Sequence, residues 1–333
     1  MKLFALIVFI CFVLSTVIKG EFSQFSKDKV TPVRGVLATF IILHHVYLFG
    51  HYGFLSEFKS WGAISVSMFL FISGYGLTKS YQIKGVAYLK GFIKNRLCVA
   101  ILLPCAVVIL LQTLIAIVSG EGVTFLGLLK NNGERWFIVA IIYLYLSFYL
   151  AARARRMLKN IIIICLVLAY VLVAINLDLG RCWYISIWGF VVGNIYAENE
   201  SLVVKKFNQH KILYYLTVPA LMGLMAICYV LGVILPSSVQ IAFSMVYAIV
   251  PMVFALILQK LEVSRLAESK ILNYLSRISY ELYLTHGVVI LLLGKVGMFS
   301  DNGVLFLVSV LLLTVCLAAF VRFICDKLLT IAK

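Results

Sequence analysis

Eleven long apolar runs, each of about 16 to 24 residues, limit how this chain can fold. A run of that length crosses the hydrocarbon core of a membrane as a helix, at about 1.5 Å per residue. Strand-like alternation of apolar and polar residues is absent, and the runs are too long for the strands of a membrane barrel. The sequence therefore predicts an all-α, polytopic transmembrane helical bundle. The predicted segments are 3–18, 32–50, 61–78, 97–118, 136–150, 160–177, 182–197, 212–235, 239–259, 271–293 and 302–325.

The composition supports this class of protein and argues against others. Of the 333 residues, 63% are hydrophobic and only 13% are charged, so we expect no separate soluble domain. The net charge of +16 comes from basic residues spread over many loops, which does not indicate a nucleic-acid partner. The eight cysteines lie mostly in or beside apolar runs without CxxC spacing. We interpret them as packing residues rather than metal ligands.

The distribution of Lys and Arg predicts the orientation of the bundle. Alternate gaps between the predicted segments sum to 23 and 5 of these residues, and the basic side of a membrane protein is cytoplasmic. This places Arg34 and the C-terminus at the cytoplasmic side. Residues 1–20 resemble a signal peptide, but its removal would leave the basic gap before Arg34 outside. We therefore predict an uncleaved hydrophobic helix with its N-terminus outside; an interfacial helix is the alternative.

The segment from Pro32 to Phe49 carries Arg34 near its start and two histidines, His44 and His45, well inside it. Ionisable side chains in a membrane helix are costly and usually functional. At about 100° per residue, Arg34 and His45 lie within roughly 20° of each other around the helix, whereas His44 lies about 80° away. At about 1.5 Å per residue, His45 is roughly 16 Å deeper than Arg34, near the middle of the bilayer. One helix face thus places a guanidinium at the membrane edge and an imidazole at mid-depth.

A second helix, in the segment 271–293, carries a matching set of residues. Ser279, Tyr283 and His286 follow one another at spacings of four and three, so they share a helix face. The predicted orientation brings His286 to a depth similar to that of His45. Two histidines at mid-membrane depth indicate function more strongly than either one alone. His45, His286, Tyr283 and Ser279 are therefore the candidate catalytic residues.

Two loop regions allow more than one interpretation. Lys94 and Arg96 belong to a basic cytoplasmic gap whose charges either mark topology or bind a phosphorylated cytosolic cofactor. On the outer side, Asn132, Glu134 and Trp136 combine an amide, a carboxylate and an aromatic ring, which are group types that bind sugars. An ordinary interfacial tryptophan is the alternative for Trp136.

Three of these stretches together resemble the acyltransferase 3 family of membrane acyltransferases. The family's Arg-x10-His signature is met by Arg34 and His45. Its FF-x-SG-[FY] helix resembles residues 69–75, FLFISGY, and its SY-x-x-YL-x-H helix is matched by residues 279–286, SYELYLTH. Each motif is short, but three motifs in order within a polytopic chain are fairly specific.

The resemblance covers residues 30–326, which would form the family's ten-helix core, with residues 1–20 as one extra helix. One motif departs from the family pattern. An Arg-x-x-Arg leading into a proline is only partly present, because Arg96 and Pro104 are there but position 99 is valine. Lys94 is the residue that would supply the second charge.

The resemblance implies an O-acetyltransferase of the cell (plasma or inner) membrane that moves an acetyl group from cytosolic acetyl-CoA to a hydroxyl of a surface or exported glycan. Arg34, Arg96 and Lys94 would bind the phosphates of the donor, and the pantetheine arm would bring the thioester to His45. There His45 would act as a general base or carry the acyl group itself, while the second helix orients it or stabilises the oxyanion. The outer residues near Trp136 would contact the glycan, and no metal ion is expected.

Two alternatives remain open at this point. A proton-coupled transporter or flippase would use the same histidines as a proton relay, although the sequence shows no internal repeat and no matched pair of broken helices. An acyltransferase acting on a cytosolic or lipid-linked small molecule would keep the chemistry and change the acceptor.

Overall fold

A computed structural model describes residues 2–18, 20–25, 27–118, 135–235, 241–261, 268–297 and 302–331 of the chain. Within these ranges it is an all-α bundle of 13 α-helices without a β-strand, so the predicted fold class is confirmed. The helices are α1 (Lys2–Val17), α2 (Lys27–Gly50), α3 (Trp61–Lys84), α4 (Ala87–Lys90), α5 (Leu103–Val118), α6 (Arg135–Ala151), α7 (Arg156–Asn176), α8 (Trp188–Gln209), α9 (Lys211–Ile234), α10 (Ile241–Lys260), α11 (Lys270–Arg277), α12 (Ser279–Lys295) and α13 (Gly303–Ile331). Two 3-10 helices (Gly53–Ser60 and Arg181–Trp183) and one π-helix (Ile93–Leu102) connect some of them.

Each of the eleven predicted segments overlaps a helix of the described residues. Seven helical stretches are long and apolar enough to cross a membrane: Lys29–Gly50, Gly53–Lys84, Ile93–Val118, Arg156–Asn176, Lys211–Ile234, Ala242–Lys260 and Gly303–Ile331. Two further apolar helices, Phe4–Val17 and Trp136–Ala151, are shorter. The bundle is therefore that of a helical membrane protein. We call the end where α2 begins the basic end, since it holds Lys79, Lys84, Arg96 and Arg156, and the end where α2 finishes the far end.

Two predicted segments differ in detail from the helices that form. The segment 271–293 was predicted as one helix, but it is interrupted at Ile278, whose φ of −102° and ψ of 16° lie outside the α-helical region. Ser279 therefore begins a new helix, α12. The segment 182–197 starts with a 3-10 turn at Arg181–Trp183, and its α-helix begins only at Trp188.

Small residues bring α3 and α8 into close contact. The Cα of Gly74 lies against the carbonyl oxygen of Phe190, and that of Gly189 lies against the carbonyl oxygen of Ser67. A Cβ at either glycine would collide with the backbone of the other helix. In lipid, where apolar burial gives little driving force between helices, such backbone contact is a main source of association.

A buried carboxylate fixes the segment 20–25 beneath the basic end of the bundle. Glu200 of α8 is fully buried and accepts hydrogen bonds from the backbone N–H of Phe25 at 2.5 Å and the hydroxyl of Tyr75 at 2.9 Å. It also forms an ion pair with Lys79 at 2.8 Å. A buried charge is stabilised when it is paired and hydrogen-bonded in this way. The carboxylate thus links α3 and α8 to residues 20–25, which lie between α1 and α2.

The predicted extra helix α1 packs on the side of the same bundle. The hydroxyl groups of Ser15 and Tyr214 are hydrogen-bonded at 2.6 Å, and the ring of Phe4 meets that of Trp61 edge to face at 5.5 Å. That α1 is retained in the mature protein, with its N-terminus outside, stays a prediction, as does the limit of the membrane domain at 30–326.

Candidate active site

Helix α2 is central to the site because it packs against α3, α11 and α12. It carries His45, and α12 carries His286. The Nε2 of His286 lies 3.1 Å from the Nδ1 of His45, which joins the two imidazoles by a hydrogen bond. The ring centroids are 4.6 Å apart. His286 is fully buried, whereas His45 is half-buried.

The surrounding carbonyl groups determine which nitrogens of this pair carry hydrogen. The Nδ1 of His286 lies 3.1 Å from the carbonyl oxygen of Leu282, which only accepts, so this nitrogen is the donor. In neutral His286 the Nε2 then holds a lone pair directed at His45. The Nδ1 of His45 faces that lone pair and the carbonyl oxygen of Ile41 at 2.9 Å, so it carries the hydrogen. The remaining nitrogen of His45, Nε2, holds a free lone pair and is equipped to accept a proton.

His45 opens onto a cavity of about 720 Å³ at the far end of the bundle. Most of its wall is apolar or aromatic, with Trp136, Tyr247 and Tyr283 among the lining residues. Its polar side chains include His44, His45, Lys59 and Ser186. We call this space the far-end cavity.

A second cavity of about 470 Å³ lies at the basic end. Its wall includes Arg34 and Arg96, together with polar side chains from three further helices, α3, α6 and α12. One of these, Ser279, accepts a hydrogen bond from Nη2 of Arg34 at 3.1 Å. The other hydroxyl-bearing residues are Ser73, Ser80, Tyr145, Tyr280 and Tyr283. We call this space the basic-end cavity.

The two cavities adjoin the same side chains near the histidine pair. Ile41, Val66 and Tyr283, in the middle of the bundle, line both of them. The ring of Tyr283 lies 5.6 Å from that of His286, centroid to centroid. His45 is five residues before the end of α2, about 8 Å along the helix axis, so it lies in the half of α2 nearer the far end. A molecule in the far-end cavity can therefore contact His45, and one in the basic-end cavity can contact Tyr283, which lies next to His286.

The structure brings only part of the predicted catalytic set together. His45, His286 and Tyr283 are neighbours, but Ser279 lies in the basic-end cavity with Arg34. The reason is the rise of α12, since seven residues separate Ser279 from His286 by about 10 Å along the axis. Ser279 is thus placed to orient Arg34 rather than the imidazoles.

The predicted binding residues are also divided. Arg34 and Arg96 both line the basic-end cavity, whereas Lys94 is exposed and lines neither the basic-end nor the far-end cavity. Trp136 lines the far-end cavity. Asn132 and Glu134, the other two residues predicted to contact the acceptor, lie outside the described residues.

Several lining residues were not predicted from the sequence. Tyr145 lies beside Ser73 and both guanidinium groups, and the hydroxyl of Tyr280 donates to the carbonyl oxygen of Ile101 at 3.1 Å. Aromatic residues in apolar helices give no signal of this kind, because their spacing is also that of packing residues. His44 could have been found from its position next to His45, but its different angle on the helix argued against it.

Two cavities at opposite ends of a helical membrane bundle, which share lining residues next to a hydrogen-bonded histidine pair, indicate a class of protein: membrane proteins built for group or proton transfer. The family decides between these activities. A profile of the acyltransferase 3 family, described as an acyltransferase domain, matches residues 31–323, so this chain belongs to the acyltransferase 3 family. It is accordingly a membrane acyltransferase. Comparison with curated proteins finds no match, and comparison with solved structures finds none either.

Proposed function

We propose that this protein transfers an acetyl group from cytosolic acetyl-CoA, bound in the basic-end cavity, to a hydroxyl of a cell-envelope or exported glycan in the far-end cavity. The observation that carries the proposal is the position of His45, which lines the far-end cavity together with Ile41, Val66 and Tyr283, the three residues that line both cavities. The concentration of Lys and Arg at the basic end supports a cytoplasmic orientation for that end, in a cell (inner) membrane.

The basic-end cavity has the groups that an acyl-CoA needs. The guanidinium groups of Arg34 and Arg96 match phosphate oxygens in charge and geometry. Between these cations and Tyr283 the wall includes Ile41, Val66 and other apolar side chains, which suits an uncharged pantetheine arm. This arrangement supports a donor whose phosphates stay at the membrane edge while its thioester lies near His45.

The histidine pair supports direct transfer with His45 as general base. Nε2 of His45 takes the proton of the acceptor hydroxyl as its oxygen forms a bond to the thioester carbonyl carbon. The C–S bond breaks, and the leaving thiolate takes the proton from His45, so CoA departs as the thiol. His286 stabilises the transient imidazolium through the 3.1 Å hydrogen bond to Nδ1 of His45, and its buried ring keeps that of His45 in place.

The far-end cavity supports a ring-shaped, polyhydroxylated acceptor. Trp136, Tyr247 and Tyr283 offer aromatic surfaces, and His44 and His45 also line the cavity and can accept hydrogen bonds. With about 720 Å³, this cavity is large enough for one or two sugar residues of a longer glycan.

The test uses purified protein with radiolabelled acetyl-CoA and extracted envelope glycan. We expect wild-type protein to release CoA and label the glycan. His45→Ala should abolish labelling, with unchanged yield and gel-filtration profile. His210→Ala is the matched control, because His210 is an exposed residue between α8 and α9.

Two results would contradict the proposal. One is glycan labelling by His45→Ala at the wild-type rate. The other is substrate flux through proteoliposomes that needs no acetyl-CoA and releases no CoA, since that would identify a transporter.

A further inference from the structure

His44, the neighbour of the proposed base, also faces the far-end cavity. Its Nδ1 lies 3.2 Å from the carbonyl oxygen of Phe58 in the 3-10 helix before α3. Because a carbonyl oxygen only accepts, Nδ1 of His44 carries the hydrogen and Nε2 holds a lone pair. His44 therefore has the same tautomer as His45, fixed by a different backbone carbonyl.

A glycine makes room for this ring. His44 lies flat against Gly62, so closely that a Cβ at position 62 would collide with its Cδ2 and Nε2 atoms. Gly62 is in the first turn of α3 and lines the far-end cavity together with His44. The ring is thus held at one edge by Phe58 and on one face by Gly62, which fixes where its lone pair points.

His44 and His45 line the same cavity. Their ring centroids are 5.0 Å apart and their planes are inclined by 79°. The carbonyl oxygens of Phe58 and Ile41 are bound by the Nδ1 atoms, which leaves Nε2 of each ring as the nitrogen that accepts from a ligand. Two hydrogen bonds of about 2.8 Å each reach far enough for one small molecule to bridge the rings. No carboxylate of the described residues lines this cavity to compete for hydroxyl hydrogens.

We propose that His44 is a positioning residue for the acceptor, and that the acceptor presents two neighbouring hydroxyl groups, one to Nε2 of His45 and the other to Nε2 of His44. The inference rests on the proposed acetyl transfer. Only the hydroxyl at His45 is acetylated; the one at His44 donates a hydrogen bond and is unchanged. The site therefore selects a vicinal diol, such as two adjacent hydroxyls of a sugar ring, over an isolated alcohol.

The test compares two probe acceptors of the same ring size, cis-1,2-cyclohexanediol and cyclohexanol, with radiolabelled acetyl-CoA. We expect wild-type protein to prefer the diol in kcat/KM by roughly three- to tenfold beyond the statistical factor of two, the effect of one net hydrogen bond. His44→Phe, which removes the acceptor, should abolish that preference. His44→Gln, whose amide oxygen reaches the Nε2 position, should restore part of it. His210→Gln is the control, and the ratio of two acceptors in one variant cancels any general loss of activity.

Gly62→Ala is an independent variant, because it displaces the ring of His44 without changing either histidine. We expect it to lower the diol preference as His44→Phe does. An equal preference for diol and monoalcohol in wild-type protein would overturn the inference. So would a preference that survives in both His44→Phe and Gly62→Ala.

A second measurement needs no turnover. Cys182 is exposed and lines the far-end cavity, so its alkylation by N-ethylmaleimide reports on occupancy there. Labelling is done at mildly alkaline pH, where more of the reactive thiolate is present, and is followed by peptide mass spectrometry. The diol should protect Cys182 at several-fold lower concentration than cyclohexanol, and His44→Phe should remove the difference. Equal protection, or none, would overturn the inference. Absence of CoA release with any acceptor would instead refute the proposed function.

Discussion

The hydrogen bond between His286 and His45 allows a quantitative test of the proposed mechanism. When His45 takes a proton, its Nδ1–H becomes a charged donor to the lone pair of His286 at 3.1 Å. A hydrogen bond to a charged group contributes about 1.5–3 kcal/mol, roughly twice that between neutral groups. The replacement His286→Phe keeps a ring of similar size in a fully buried position but removes the acceptor.

The expected effect falls on kcat rather than on binding. The charge on His45 exists in the transition state and not in the complex with substrates, so the lost bond raises the activation barrier. At about 1.4 kcal/mol for each factor of ten, His286→Phe should lower kcat between about 10- and 150-fold. The KM for acetyl-CoA should be unchanged, because Arg34 and Arg96 lie in the other cavity.

Radiolabelled acetyl transfer by purified variants is the assay, with thermal unfolding as the check on folding. His286→Gln is the matched comparison, since its amide oxygen can accept at the position of Nε2, and we expect it to keep more activity than His286→Phe. A kcat for His286→Phe within about threefold of wild type would refute the role given to this hydrogen bond. So would equal losses in both variants.

Two further predictions concern the basic end. Arg34→Gln should raise the KM for acetyl-CoA at least about tenfold with little change in kcat, because it removes a charged donor to phosphate. The control Lys205→Gln, on the exposed surface, should leave this KM unchanged. Steady-state kinetics measures both variants, and an unchanged KM in Arg34→Gln would contradict the role of Arg34 in donor binding. Glu200→Ala should lower the free energy of unfolding by about 3 kcal/mol, because it leaves Lys79 and Tyr75 without their carboxylate. Thermal unfolding in detergent measures the loss of stability, and an unchanged midpoint temperature would contradict the prediction.

The fold was predictable because each membrane helix is indicated by the apolar residues of its own segment. A run of apolar residues indicates a helix whatever its neighbours are, so all eleven segments were located from their length alone. The break at Ile278 was not predicted, because neither glycine nor proline marks it. The π-helix at Ile93–Leu102 was not predicted either.

The site was predictable only within single helices. The angle between Arg34 and His45 follows from helix geometry, and so does the shared face of Tyr283 and His286. The contact between His45 and His286 joins residues 241 positions apart, and depth alone placed them at comparable levels without showing that they touch. His44 was set aside because of its angle, but the far-end cavity is wide enough to include both faces of α2.

Two contacts join α2 to α12, one between Arg34 and Ser279 and one between His45 and His286. Both form only if the spacing within each helix is kept. Arg34 and His45 are eleven residues apart, about 16 Å along α2, and Ser279 and His286 are seven apart, about 10 Å along α12. The difference of about 6 Å is of the order of the reach of an arginine side chain, so Arg34 can extend to Ser279 while the two imidazoles meet directly. Contact at two levels fixes the rotation of each helix about its axis as well as their relative height. Because the break at Ile278 starts α12 at Ser279, it sets the register in which both contacts form. A change of one residue in either spacing would turn a histidine by about 100° and separate the pair, even though every helix would still form.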